Sequence, residues 1–173
     1  MHGQTFWHRL ALAGALATAA VPALAANIAE TAKADGQFTK LLEANQAAGT
    51  AALLTQPGPF TVFAPNDDAF AKVPAEKLRS LMSPSMKTML KVTLANHIVT
   101  GVLDMATIEA ALAKGDAAAA TAANNMPLIF KMEGGKLTVN GARIIKGPMA
   151  VDNGLVYVVD KVLMPAVPLQ ADY

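Results

Sequence analysis

A single change of hydrophobic period limits what this chain can become. From Asn27 to Lys114 most apolar residues recur at helical spacing, and from Leu128 onward they alternate every second residue. Asn27 is placed to cap Ile28–Lys33, Gly36 interrupts, and Phe38, Leu41, Leu42 and Asn45 resume the helical repeat as far as Gly49. Between Asp67 and Lys91, Pro74 and Pro84 divide the chain into short helices, and Met105–Lys114 predicts another with Ile108, Ala111 and Leu112 on one face. Two strands interrupt this half: Phe60–Ala64, after the turn Gln56–Pro59, and the β-branched run Val92–Val102. The second half reads as strands at Leu128–Met132, Lys136–Val139, Ala142–Ile145 and Leu155–Val159. Glu133-Gly134-Gly135 marks a hairpin, and Asn140-Gly141 and Asn153-Gly154 are turn pairs that favour φ > 0. The Ala-rich stretch 116–125 fits neither period. Helices first and mainly antiparallel strands afterwards predict an α+β domain.

Residues 1–25 stand apart from that pattern. A polar start ending in His8-Arg9 precedes the apolar run Leu10–Leu24, and Ala23-Leu24-Ala25 supplies small residues for cleavage. This is the composition of a secretory signal peptide, too short to span a bilayer. The expected organisation is therefore a signal peptide over 1–25, one domain over 26–165 and an irregular tail over 166–173, with the protein exported to a periplasm or beyond the cell. The chain has no Cys, so neither a lipidated cysteine nor a disulfide is available and the fold must rest on its apolar core. Removing Arg9 from the 14 basic residues leaves 13 against 13 Asp and Glu. A neutral chain without a basic block is a poor partner for nucleic acid or an anionic membrane. With His2 and His8 gone as well, His97 is the one remaining imidazole, which excludes a site that needs two histidines from one chain.

The stretch Phe60-Thr-Val-Phe-Ala-Pro-Asn-Asp-Asp-Ala-Phe70 carries the most suggestive chemistry. Asp67 and Asp68 could form an acid–base pair or hold a metal. Neighbouring helical residues point about 100° apart, however, which suits a shared site poorly. Asn66 as cap, with both acids in the first helical turn near the positive end of the dipole, accounts for the pattern as a strand-to-helix corner. His97 could serve a hydrolase with Ser80, Ser83 or Ser85, but no nucleophile-elbow sequence surrounds those serines. The favoured role is a buried histidine that hydrogen-bonds backbone within its strand. Met82, Met86 and Met89 fall at spacings of four and three, so a thioether copper site stands as an alternative to flexible core filling. Lys131, Lys136, Arg143 and Lys146 lie along the hairpin region, where a basic groove is the alternative to the favoured reading, the plain alternation of exposed strand positions.

Three stretches resemble the fasciclin I (FAS1) domain. Thr61-Val-Phe-Ala-Pro-Asn-Asp-Asp-Ala-Phe70 is similar to its first signature, Asn96-His-Ile-Val99 to its central histidine segment, and Asn153-Gly-Leu-Val-Tyr-Val-Val-Asp-Lys-Val-Leu-Met-Pro165 to its second signature. Together they span almost everything after residue 26. The resemblance implies a wedge of two small β-sheets packed with several short helices, and an extracellular or periplasmic binding module used in adhesion, without a cofactor. It assigns structural roles to Asn66, Asp67, His97 and Asp160 and no catalytic or metal-binding residue. The sequence departs from the family pattern where Asn96 stands in place of a common Tyr and Tyr157 in place of a common His. Pro148-Met149 replaces an Asp-Ile pair that animal members use towards integrins, and Lys114-Gly115-Asp116 is only a chance-level match to an integrin-binding tripeptide. The expectation is a monomer that binds a protein or glycan of the cell envelope or surface. Its contacts would come from Asn96–Met105 and Gly147–Asn153, with Asn96, Met105, Pro148 and Met149 as candidate residues.

Overall fold

The computed structural model describes residues 26–115 and 118–165. The expected signal peptide 1–25, the tail 166–173 and Asp116 of the Lys114–Asp116 tripeptide lie outside the described residues.

Asn27 starts the first helix, α1 (Ile28–Asp35), through a reciprocal capping box with Glu30, and Gly36 ends it in the left-handed conformation. Helix α2 (Thr39–Ala48) stops at Gly49 in the same way. After a 3₁₀ turn at Ala51–Thr55 comes strand β1 (Phe60–Pro65). The chain then turns into helices α3 (Asp67–Ala71), α4 (Ala75–Leu81) and α5 (Lys87–Ala95). The expected breaks hold: Pro74 precedes α4 and Pro84 opens a 3₁₀ turn before α5. The strand expected over Val92–Val102 begins as helix instead, with Val92–Ala95 closing α5, and only β2 (Ile98–Thr100) is extended. Leu90 and Leu94, one turn apart, are buried together, and the Thr93 hydroxyl donates to the Met89 carbonyl. Packing of that apolar face overrides the extended preference of the β-branched residues.

Helix α6 (Met105–Leu112) is capped by Asp104. Strands β3 (Ala118–Thr121), β4 (Pro127–Glu133), β5 (Lys136–Val139), β6 (Ala142–Val151) and β7 (Gly154–Val159) follow. The Glu133-Gly134-Gly135 hairpin and the Asn140-Gly141 turn form as expected, with positive φ at both residues of each central pair. Strand β6 runs past its expected end at Ile145. Pro148 is accommodated because the β6–β7 pairing shifts register between Ile144, Lys146 and Met149, and such irregularities tolerate a residue without an N–H.

The sheet order is β2-β1-β7-β6-β5-β4-β3. The two expected sheets are its two halves, joined through the long β6. β1 and β7 form a parallel pair; the other ladders are antiparallel. The ends come back together where Val99 bridges Ala122 and the Ala123 N–H donates to the Ile98 carbonyl at 2.7 Å. One core cluster, with Phe38, Leu41, Leu90, Leu94 and Val156, fills the space between helices and sheet. The other lies within the curved sheet around Phe63, Phe130, Val139 and Tyr157, where Phe63 stacks on Tyr157 at 5.3 Å between centroids. With no Cys in the chain, these two clusters carry the burial of apolar surface that drives folding. No described helix is long and apolar enough to cross a membrane.

Candidate binding surface

His97 sits at the junction of α5 and β2, not inside a strand. It is 2 % exposed. Its Nδ1 meets the Thr93 carbonyl at 2.7 Å and its Nε2 lies 2.9 Å from the Leu163 N–H. Only the neutral ring with its proton on Nδ1 satisfies both partners, donating to Thr93 and accepting from Leu163. Burial pushes the ring down to about 4, against the raising effect of the Thr93 carbonyl. Asn96 completes the grip by donating from Nδ2 to the Leu163 carbonyl at 3.1 Å. Both polar groups of one backbone residue, 66 positions away from His97, are thus held by adjacent side chains. Neither ring nitrogen is free to activate a nucleophile. Ser83 bonds the Ser80 carbonyl and the Ser85 hydroxyl rather than an imidazole. Asn96 is itself buried, so it supports this corner and presents no side chain to a partner.

The strand-to-helix corner is structural in a more connected way than its sequence suggests. Asn66 caps α3 through the Ala69 N–H at 2.9 Å. Asp67 reaches across the chain and accepts from the Lys40 N–H at 2.8 Å, so it satisfies the start of α2 as well as facing the first turn of its own helix. Asp68 is exposed and turned away from it. Asp160 accepts from the Arg143 N–H at 2.8 Å and pairs with Lys72 and Arg143 at 3.3 and 3.4 Å. Partial burial raises its carboxyl, and these partners outweigh that and hold it below its ordinary value. Among the described residues no group of three or more His, Cys, Asp or Glu could hold a metal. The three methionines do not share one helix: Met82 follows α4, Met86 belongs to a 3₁₀ turn and Met89 to α5. Met86 and Met89 line a cavity with Met164, and Met82 does not.

What faces outward is the loop 101–104. Thr61, wholly buried in β1, donates to the Gly101 carbonyl and accepts from the Leu103 N–H, at 2.8 and 2.9 Å. The Gly101 N–H donates to the Pro59 carbonyl, and the Tyr157 hydroxyl donates to the Leu103 carbonyl at 2.9 Å. Burial, then the nearby Asp104, pushes that phenol up to about 12, so it remains a donor. Asp104 closes the loop by capping the Thr107 N–H. A loop tied at both ends to central strands therefore carries Val102, which is 59 % exposed. Val102 borders an open depression of about 850 Å³ whose opposite wall is Ala150–Leu155. Met105 borders a second, of about 740 Å³, shared with Arg143, Gly147 and the exposed Met132 and Ile145. The two chain segments expected to make contacts are thus neighbours in space. Pro148 is exposed there, whereas Met149 packs against the first core cluster.

Sequence reasoning gave Thr61 no role of its own and did not foresee the bonding of Asn153. A lone hydroxyl inside an apolar strand was the available signal for Thr61. Asn153 was expected to serve a left-handed turn; instead it is a buried hub. Its Oδ1 accepts from the Ile28 N–H, and its Nδ2 donates to the Leu54 and Gln56 carbonyls. Gly154 after it has φ near +153, and a Cβ there would collide with the Phe60 carbonyl.

Comparison with known proteins agrees with this arrangement. The family profile described as Fasciclin domain matches residues 36–165. Protein sll1483 of Synechocystis sp. is 37 % identical over 144 residues, covering 82 % of this chain and 74 % of that protein. Transforming growth factor-beta-induced protein ig-h3 of Oryctolagus cuniculus is 32 % identical over 138 residues, 80 % of this chain but 20 % of the much longer relative. A FAS1 domain pair from the insect cell adhesion molecule Fasciclin I superposes with a TM-score of 0.61 at 22 % identity, over 79 % of this chain and 48 % of that one. The chain belongs to the fasciclin domain family.

Proposed function

We propose that this protein is an exported, non-enzymatic binding module that attaches to a protein or glycan of the cell envelope or surface through the face built by the loop 101–104 and the β6–β7 turn. The observation that carries the reading is the contrast at Val102: a large apolar side chain left in solvent on a loop held by hydrogen bonds from Thr61 and Tyr157. Such pre-organisation lowers the ordering cost of association. The FAS1 domains of the insect adhesion molecule supply the wider context. His97, the residue around which a hydrolase would be built, has both nitrogens committed to backbone. A face of this size supports weak, transient contact by a monomer, with at most about 1,200 Å² buried in total.

The test compares wild type with Val102→Asp for retention on intact cells and on envelope fractions, with circular dichroism as the check on folding. Retention should fall several-fold in the variant at unchanged fold. Equal retention, or hydrolysis of ester, phosphate or glycoside substrates that disappears in a folded His97→Ala variant, would end the proposal.

A further inference from the structure

Met86, Met89 and Met164 meet in a cavity of about 280 Å³, which shares no lining residue with the depressions beside the loop 101–104 and is also lined by the buried Leu81. The wall formed by Lys77 and Met164 is shared with a shallower depression of about 290 Å³, which also carries Lys72 and Lys161. Among the described residues no carboxylate lines either one. Lys72 is occupied by Asp160 and Lys161 by the Gly141 carbonyl, but the Lys77 ammonium has no ion-pair partner among the described residues. The Thr93 hydroxyl is likewise spent on the Met89 carbonyl. The result is an apolar, thioether-lined hollow with one uncommitted positive charge at its mouth. Unbranched methionine side chains reshape around apolar matter, and a cavity of this size lies at the lower edge of ligand sites.

We propose that this cavity binds a free single-chain amphiphile with an anionic head, of the medium-length fatty acid class. The methylenes would fill the space between the three thioethers, and the carboxylate would pair with Lys77. A soft metal cation suits the same sulfurs, but the lysine and the lack of any acid oppose it. The proposal is independent of the surface contact proposed above, and Val102→Asp leaves it untouched.

Titration calorimetry of the chain from Ala26, which holds every described element, with hexanoate, octanoate and decanoate below their micellar concentrations tests it. Affinity should rise about fourfold per methylene. Lys77→Gln, a change at an exposed position, should weaken decanoate about tenfold and leave decanol unaffected. Met86→Trp, at a half-buried position outside the core cluster, should abolish binding by filling the cavity, with the melting temperature confirming the fold. Absence of a chain-length trend, or decanoate binding that both folded variants retain, would overturn the proposal. So would retention on phosphatidylglycerol vesicles without uptake of free decanoate, or Cu(I) binding that depends on Met86 in a protein that ignores decanoate.

Discussion

The Asn96–His97 corner and the loop 101–104 lie a few residues apart and divide the labour of the molecule between them. The corner holds the most versatile side chains, and it is sealed: both residues are at most 2 % exposed, both imidazole nitrogens and Asn96 Nδ2 are turned to backbone, and Asn96 Oδ1 faces the Asn124 amide. The loop holds a plain valine, and it is open. Among the described residues no buried side-chain nitrogen or oxygen lacks a partner. Polar chemistry in this fold is consumed internally, where the low dielectric makes complete hydrogen bonding stabilising and incomplete bonding costly. On the loop 101–104, by contrast, the side chain offered to solvent is the apolar Val102.

The largest expected effect is on the sealed side. His97→Ala strands the Leu163 N–H and the Thr93 carbonyl and should cost roughly 3 kcal/mol in urea unfolding. A loss below about 1 kcal/mol would break the comparison, because the corner would then not be structural. Acid probes the same ring without mutation. Its folded value of about 4 lies below the ordinary 6.5, so the unfolded chain takes up the proton first. Stability from this group is complete above pH 6.5 and is lost as pH falls from there through 4, by roughly 3 kcal/mol in total. The His97→Ala protein should lack that segment of the pH profile.

Three smaller effects sharpen the contrast. Asp67→Ala should cost about 1 kcal/mol because it uncaps α2, while Asp67→Asn, which keeps an acceptor for the Lys40 N–H, should cost less. Tyr157→Phe should cost about 1 kcal/mol by leaving the Leu103 carbonyl without its donor, and it should loosen the loop enough to weaken surface binding as well. Val102→Asp should change stability by less than about 0.5 kcal/mol while removing binding. Met149→Asp would make a poor probe of the surface, since Met149 packs on the core and the charge would unsettle the fold.

Much of the architecture was legible because it is local. Asn27, Gly36 and Gly49 set helix boundaries by capping and by left-handed geometry, and Gly134, Gly135, Asn140 and Gly141 set two turns by the same means. The parts that escaped depend on distant partners. Val92–Ala95 looks extended by composition and is helical because Leu90 and Leu94 are buried together. Asp67 advertises its own helix, while its stronger bond is to a helix 27 positions earlier. Asn153 reads as a turn residue and works as a hub for α1 and the segment after the 3₁₀ turn. The methionine group was read along one helix, whereas space replaces Met82 with Met164 from the far end of the chain. The two segments proposed for contact are separate in sequence, and their adjacency comes from the β1–β7 pairing, which no local pattern encodes.

That pairing also sets an order of events. β7 lies between β1 and β6, and among the described strands it is the last in the chain. Until Gly154–Val159 is available, β1 has no parallel neighbour, β6 has no inner edge, and Leu163 cannot fill the grip of Asn96 and His97. A chain that stops short of Gly154 therefore holds two half-sheets joined only where Val99 meets Ala122, with the loop-closure cost of the β1–β7 pairing still to meet. The strand that closes the sheet thus also brings Leu163 to the Asn96–His97 corner, so sheet closure and corner formation are one event.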